Sequence, residues 1–61
     1  MRKLTMEQES IIKLVVQGRT NMQIAEELGY SERSIKRRLR AIYKAYSVDN
    51  RQSLVREAIL H

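Results

Sequence analysis

The chain has no cysteine, no proline, no tryptophan and no phenylalanine, and its one histidine is the terminal His61. Without cysteine, disulfides, Cys-rich zinc sites and thiol redox chemistry are excluded. One terminal His, two Gly and no clustered carboxylates leave little from which to build a catalytic site. The expectation is therefore a protein that is no enzyme and takes no cofactor and no metal. No apolar run approaches the ~18 residues of a transmembrane helix, and no signal-peptide core opens the chain. Together with the missing cysteines, this suits the cytoplasm and argues against a membrane partner.

Charge is what remains. Lys and Arg number 12 against 7 for Asp and Glu, a formal +5 over 61 residues. Such an excess points to a polyanion, either nucleic acid or an anionic membrane surface. A chain this short buries only about 60% of the surface its unfolded form exposes, so its core is marginal. Hydrophobic content of 43% and charged content of 31% suit a folded helical domain rather than disorder. No linker, repeat or low-complexity segment divides it, so residues 1–61 read as one domain.

Start and stop signals predict an all-α, four-helix fold. Thr5 followed by Gln8 forms a capping box, with Glu7 and Glu9 near the positive end of the helix dipole. Ile11, Leu14 and Val15 recur at helical spacing until Gly18, a left-handed stop. Thr20 and Gln23 open a second, short helix with Ile24, Ala25 and Leu28 facing inward, closed by Gly29. Ser31 caps a third and longest helix, running to about Tyr46. Asp49 and Gln52 are spaced as a further capping box, leading into Leu54, Val55, Ala58 and Ile59. The expected core is Ile11, Leu14, Val15, Ile24, Leu28, Ile35, Leu39 and Ile42, with Tyr43 and Tyr46 on the same stripe and Met6 and Met22 as fillers. Met1 reads as a start and His61 as a frayed end. Only Gly29, Tyr30 and Ser31 separate the second helix from the third, which is the helix-turn-helix pattern.

The third helix carries the chemistry. With Lys36 at zero and about 100° per residue, Arg40 falls at about 40°, Arg33 at about 60°, Lys44 at about 80° and Arg37 at about 100°. Ile42, Ile35, Tyr46, Leu39 and Tyr43 span about 240° to 340°, the opposing apolar stripe, while Arg38 stands apart at about 200°. Six of the twelve cations lie between residues 33 and 44, a stretch with no acid. Solvated faces normally mix signs; an all-cationic one repels itself at i,i+3 and i,i+4 unless an anion compensates. A helix about 10–12 Å across fits the DNA major groove. Lys36, Arg37 and Arg40 are the candidates for base edges, since Arg and Lys can reach guanine O6 and N7. Arg33 can reach either base or backbone and is assigned with Lys44 to phosphate. Thr20, Asn21, Ser31 and Ser34 stand at helix starts, where phosphate contacts are common; capping alone is their other reading.

Leu4-Thr5, Ile11-Ile12-Lys13-Leu14, Gln17-Gly18, the run Thr20 to Gly29, Ser31-Glu32, Ser34-Ile35-Lys36 and Val48-Asp49-Asn50-Arg51 together resemble the LuxR/GerE-type helix-turn-helix domain, without gaps from residue 4 to about 60. The resemblance implies a four-helix module of bacterial transcription regulators that binds double-stranded DNA with its third helix in the major groove. It places Lys36, Arg37 and Arg40 at the reading positions. It also implies a homodimer, at least on DNA, through the fourth helix, with Gln52, Val55, Arg56 and Ile59 as interface candidates, and no small-molecule ligand in this domain. The chain departs from the family pattern at Gln8 and Ser10, at Arg38 where His is usual, and at Ala45-Tyr46-Ser47-Val48, where the usual Gly after the third helix is missing. A stand-alone regulator and a piece of a larger one are both compatible with it.

Two other readings stay open. Region 4 of a sigma factor shares the Ile-Ala-x-x-Leu-Gly-x-Ser core and a basic recognition helix, but usually finishes soon after that helix. A basic module for an acidic protein or lipid surface would usually set Trp, Phe or Leu beside its cations.

Overall fold

The computed structural model describes residues 4–60, so Met1 and His61 lie outside the described residues. Its elements are α1 (Met6–Val16), α2 (Asn21–Leu28), α3 (Glu32–Ala45) and α4 (Arg51–Leu60), with no strand among the described residues. Thr5 and Gln8 close the first capping box, each backbone N–H donating to the other's side chain at 3.0 Å. Thr20 and Gln23 repeat it at 2.9 and 3.1 Å. The Ser31 hydroxyl oxygen accepts from the Ser34 N–H at 3.1 Å and starts α3. These satisfy N–H groups that a helix cannot bond internally.

The start of α4 departs from expectation. Asn50, not Asp49, is the cap: its Oδ1 accepts from the Ser53 N–H at 2.8 Å, while its Nδ2 donates to Asp49 at 3.0 Å. The third helical position is then Ser53 rather than Gln52, so no reciprocal box closes. Arg51 is committed elsewhere: its guanidinium donates to Asn21 Oδ1 at 2.8 Å and to the Arg19 carbonyl oxygen. That tie anchors the point at which α4 begins.

Two helix ends share one geometry. After α1, Gly18 (φ +86°) donates to Val15 and Arg19 donates back to Leu14. After α3, Ser47 (φ +56°) donates to Lys44 and Val48 donates back to Tyr43. Both are Schellman motifs, in which the left-handed residue lets the chain reverse onto the last carbonyls. The helix without its glycine therefore ends in the same way, with a serine in the strained position.

The core is Ile11, Ile12 and Val15 of α1, Ile24 and Ala25 of α2, Ile35, Leu39 and Ile42 of α3, Tyr46, and Leu54 of α4. Leu14 and Leu28, expected inside, are half-buried at its margin, as is Tyr43. Ile12 is inside because α4 lies against α1 and covers that flank. Met6 and Met22 are not fillers; they are 84% and 57% exposed. Met6 is the first residue of α1, and Met22 points about 160° away from Ile24 around α2. Leu54 is wholly buried and Val55 and Ala58 pack against the core, so α4 spends most of its apolar face within the molecule.

Candidate nucleic-acid interface

The apolar stripe of α3 presses Ile35, Leu39 and Ile42 inward, and this turns the opposite side of the helix to solvent. Arg33, Lys36, Arg37, Arg40 and Lys44 are all exposed there. Among the described residues none of the five pairs with a carboxylate. Glu7 is engaged by Arg38 and Tyr30, and Asp49 by Asn50. Five like charges on one helix without internal compensation leave a strongly positive surface, whose natural counter-charge is external.

Two shallow hollows gather these side chains. One, of about 320 Å³, is walled by Arg33, Lys36, Arg37 and Arg40 alone. The other, of about 500 Å³, lies between α3, the start of α2 and the α3–α4 turn, and brings Asn21 together with Lys36, Arg40, Tyr43 and Lys44. Asn21 sits there with its Oδ1 already accepting from Arg51, so its Nδ2 is the group left to donate outward. Thr20 and Ser31 accept helical N–H groups through their oxygens; each hydroxyl keeps its proton for an outside acceptor. Ser34 is half-buried beside them, and neither hollow includes these three hydroxyls.

The residues expected at a dimer contact lie elsewhere. Gln52 and Val55 border a hollow with Val15, Val16, Gly18 and Arg51, on the α1–α4 side. Arg56 is exposed and Ile59 is 67% exposed, next to Leu60 at 67%.

Sequence reasoning missed one cluster beside α3. The Arg38 guanidinium stacks over the Tyr30 ring, 4.2 Å from its centroid, and its Nε lies 3.5 Å from Glu7 Oε1. The Tyr30 hydroxyl donates to the other Glu7 oxygen. The available signal was the helical wheel, which sets Arg38 beside the buried stripe rather than among the other cations. Glu7 as its partner could not be read, because that requires the packing of α1 against α3.

No described helix is long and apolar enough to cross a membrane. A family model described as "Bacterial regulatory proteins, luxR family" matches residues 2–58. No curated protein and no solved structure matches significantly.

Proposed function

Because the chain belongs to the luxR family of bacterial regulatory proteins, which act on transcription through a DNA-binding helix-turn-helix, we propose that it binds a specific double-stranded DNA site with α3 in the major groove. Lys36, Arg37 and Arg40 address base edges, where a bidentate cation discriminates guanine by about 1–3 kcal/mol. Arg33 and Lys44 hold phosphates on either side. Thr20, Asn21, Ser31 and Ser34 add donors at the two helix starts, where the dipole also favours an anion. A regulator of this kind works in the cytoplasm, beside the chromosome.

The observation that carries this reading is the exposed face of five cations on α3, none matched by a carboxylate of the described residues. A lipid-surface role would call for exposed Trp, Phe or Leu among them; the chain has no Trp or Phe, and Leu39, Tyr43 and Val48 at the edge of the face are buried or half-buried.

We assign the homodimer to α4, through Gln52, Val55, Arg56 and Ile59, with two chains on paired half-sites. Since Leu54, Val55 and Ala58 face the core, the area left for pairing is small, and the dimer forms on DNA rather than in dilute solution. Selection of bound sequences from a random DNA pool, with the stoichiometry of the complex, tests both statements. A two-fold motif occupied by two chains supports them. An asymmetric motif occupied by one chain removes the dimer and favours a sigma-region-4 mode of binding, and no enriched motif removes sequence-specific reading.

A further inference from the structure

The buried stripe of α3 seats the helix on the core through close-packed aliphatic contacts, which are individually non-directional. Polar side-chain ties to other elements are added on one flank. Arg38 is 33% exposed and Glu7 40% exposed, so both side chains keep contact with water, yet with Tyr30 they make three contacts: the ring stack, the Tyr30–Glu7 hydrogen bond, and an ion pair in which the buried Arg38 Nε lies 3.5 Å from Glu7 without hydrogen-bonding it. These three residues belong to α3, α1 and the turn between α2 and α3. The opposite flank of α3, with Lys36, Arg40 and Lys44, has no comparable tie among the described residues.

Rotation matters for reading. With side chains at a radius of about 5–6 Å, a turn of about 10° moves a reading group by about 1 Å. Productive polar constellations hold only within about 0.5 Å. We propose that Arg38, clamped by Glu7 and Tyr30, is a positioning residue that sets the rotation of α3 and thereby aims Lys36, Arg37 and Arg40 at the bases. Arg38 does not touch DNA. This rests on the DNA-reading role proposed above, and it assigns a specificity function to Glu7, an acid on a helix that lies behind the reading face.

The test uses the whole chain, its selected DNA site and random DNA, at a temperature well below the melting point of every variant. Arg38→Gln and Glu7→Gln should each lower the ratio of specific to random affinity by about fivefold or more, the equivalent of one degraded base contact. Affinity for random DNA after Arg38→Gln, and the salt slope, should stay as in the parent, because no phosphate contact is lost. Arg38→Lys keeps a cation over the Tyr30 ring and should recover most of the ratio. An unchanged ratio in Arg38→Gln, with only the melting temperature lowered, would overturn the proposal and leave the cluster a packing device. A salt slope smaller by about one would overturn it too, by making Arg38 a phosphate contact. Failure of the DNA reading itself looks different: the unmodified chain would then show no preference for any sequence.

Discussion

Ser47 stands after α3 where Gly18 stands after α1, in the left-handed backbone region and with the same pair of hydrogen bonds back to the helix. A side chain in that conformation costs about 1 kcal/mol or more. Glycine would remove this strain, while the extra freedom it gives the unfolded chain returns about 0.4–1 kcal/mol. Ser47→Gly should therefore stabilise the domain by about 0.5 kcal/mol, seen as a rise of about 2–4 °C in thermal melting. Gly18→Ala should do the reverse. An added Cβ there meets nothing within 4 Å, so the loss is one of backbone alone. A lower melting point for Ser47→Gly would contradict this account of the helix end.

Leu54 is fully buried and is the α4 residue that enters the core. Leu54→Ala should destabilise by about 2–5 kcal/mol through loss of burial and the cavity left behind. A domain of this size has only about 3–9 kcal/mol in total. Leu39→Ala, 3% exposed on α3, should behave alike. Chemical denaturation followed by circular dichroism measures both. If Leu54→Ala melted like the parent, α4 would be an appendage rather than a wall of the core.

Lys44 and Lys36 occupy the same cationic face two turns apart and should respond differently to deletion. Lys44→Ala should weaken binding to selected and random DNA alike and reduce the salt slope by about one. Lys36→Ala should cost about 1–3 kcal/mol on the selected site and relax its sequence preference. Titrations at several salt concentrations separate the two. Identical behaviour of both variants on both DNAs would mean that α3 lies on the backbone and does not enter the groove.

Ile59 is the better probe of pairing than Val55, because Val55 also packs against the core. Ile59→Glu should leave melting within about 0.5 kcal/mol of the parent, as an exposed site does. It should weaken cooperative binding to a paired site while leaving a single half-site unaffected. Equal cooperativity in the variant and the parent would exclude α4 from the interface.

Most of the fold was legible because its signals are local. Thr5, Thr20 and Ser31 act only on the next three residues, and the wheel of α3 needs no neighbour to be drawn. Part of what escaped depends on contacts distant in the chain. Ile12 enters the core on the flank where α1 meets α4 and Tyr46, and Asn50 rather than Asp49 caps α4, a choice between two adjacent good caps that spacing alone leaves open. Met22 needed no distant contact to be placed, since the wheel of α2 alone turns it about 160° from Ile24, toward water. The exposed cationic face of α3 was legible as charge, whereas the Glu7–Tyr30–Arg38 cluster joins three elements that lie apart in sequence and meet only when folded.

The five exposed cations of α3 bond to no described part of the protein, while the residues that hold the helix in place lie on its other sides. Exchanging Lys36, Arg37 or Arg40 therefore perturbs folding by no more than about 0.5 kcal/mol, as at other free surface positions. On the proposed reading, recognition and stability are encoded by separate letters of one helix. A duplicated copy of this domain can drift to a new operator by single substitutions, each intermediate still folded, and nothing in the core has to change with it.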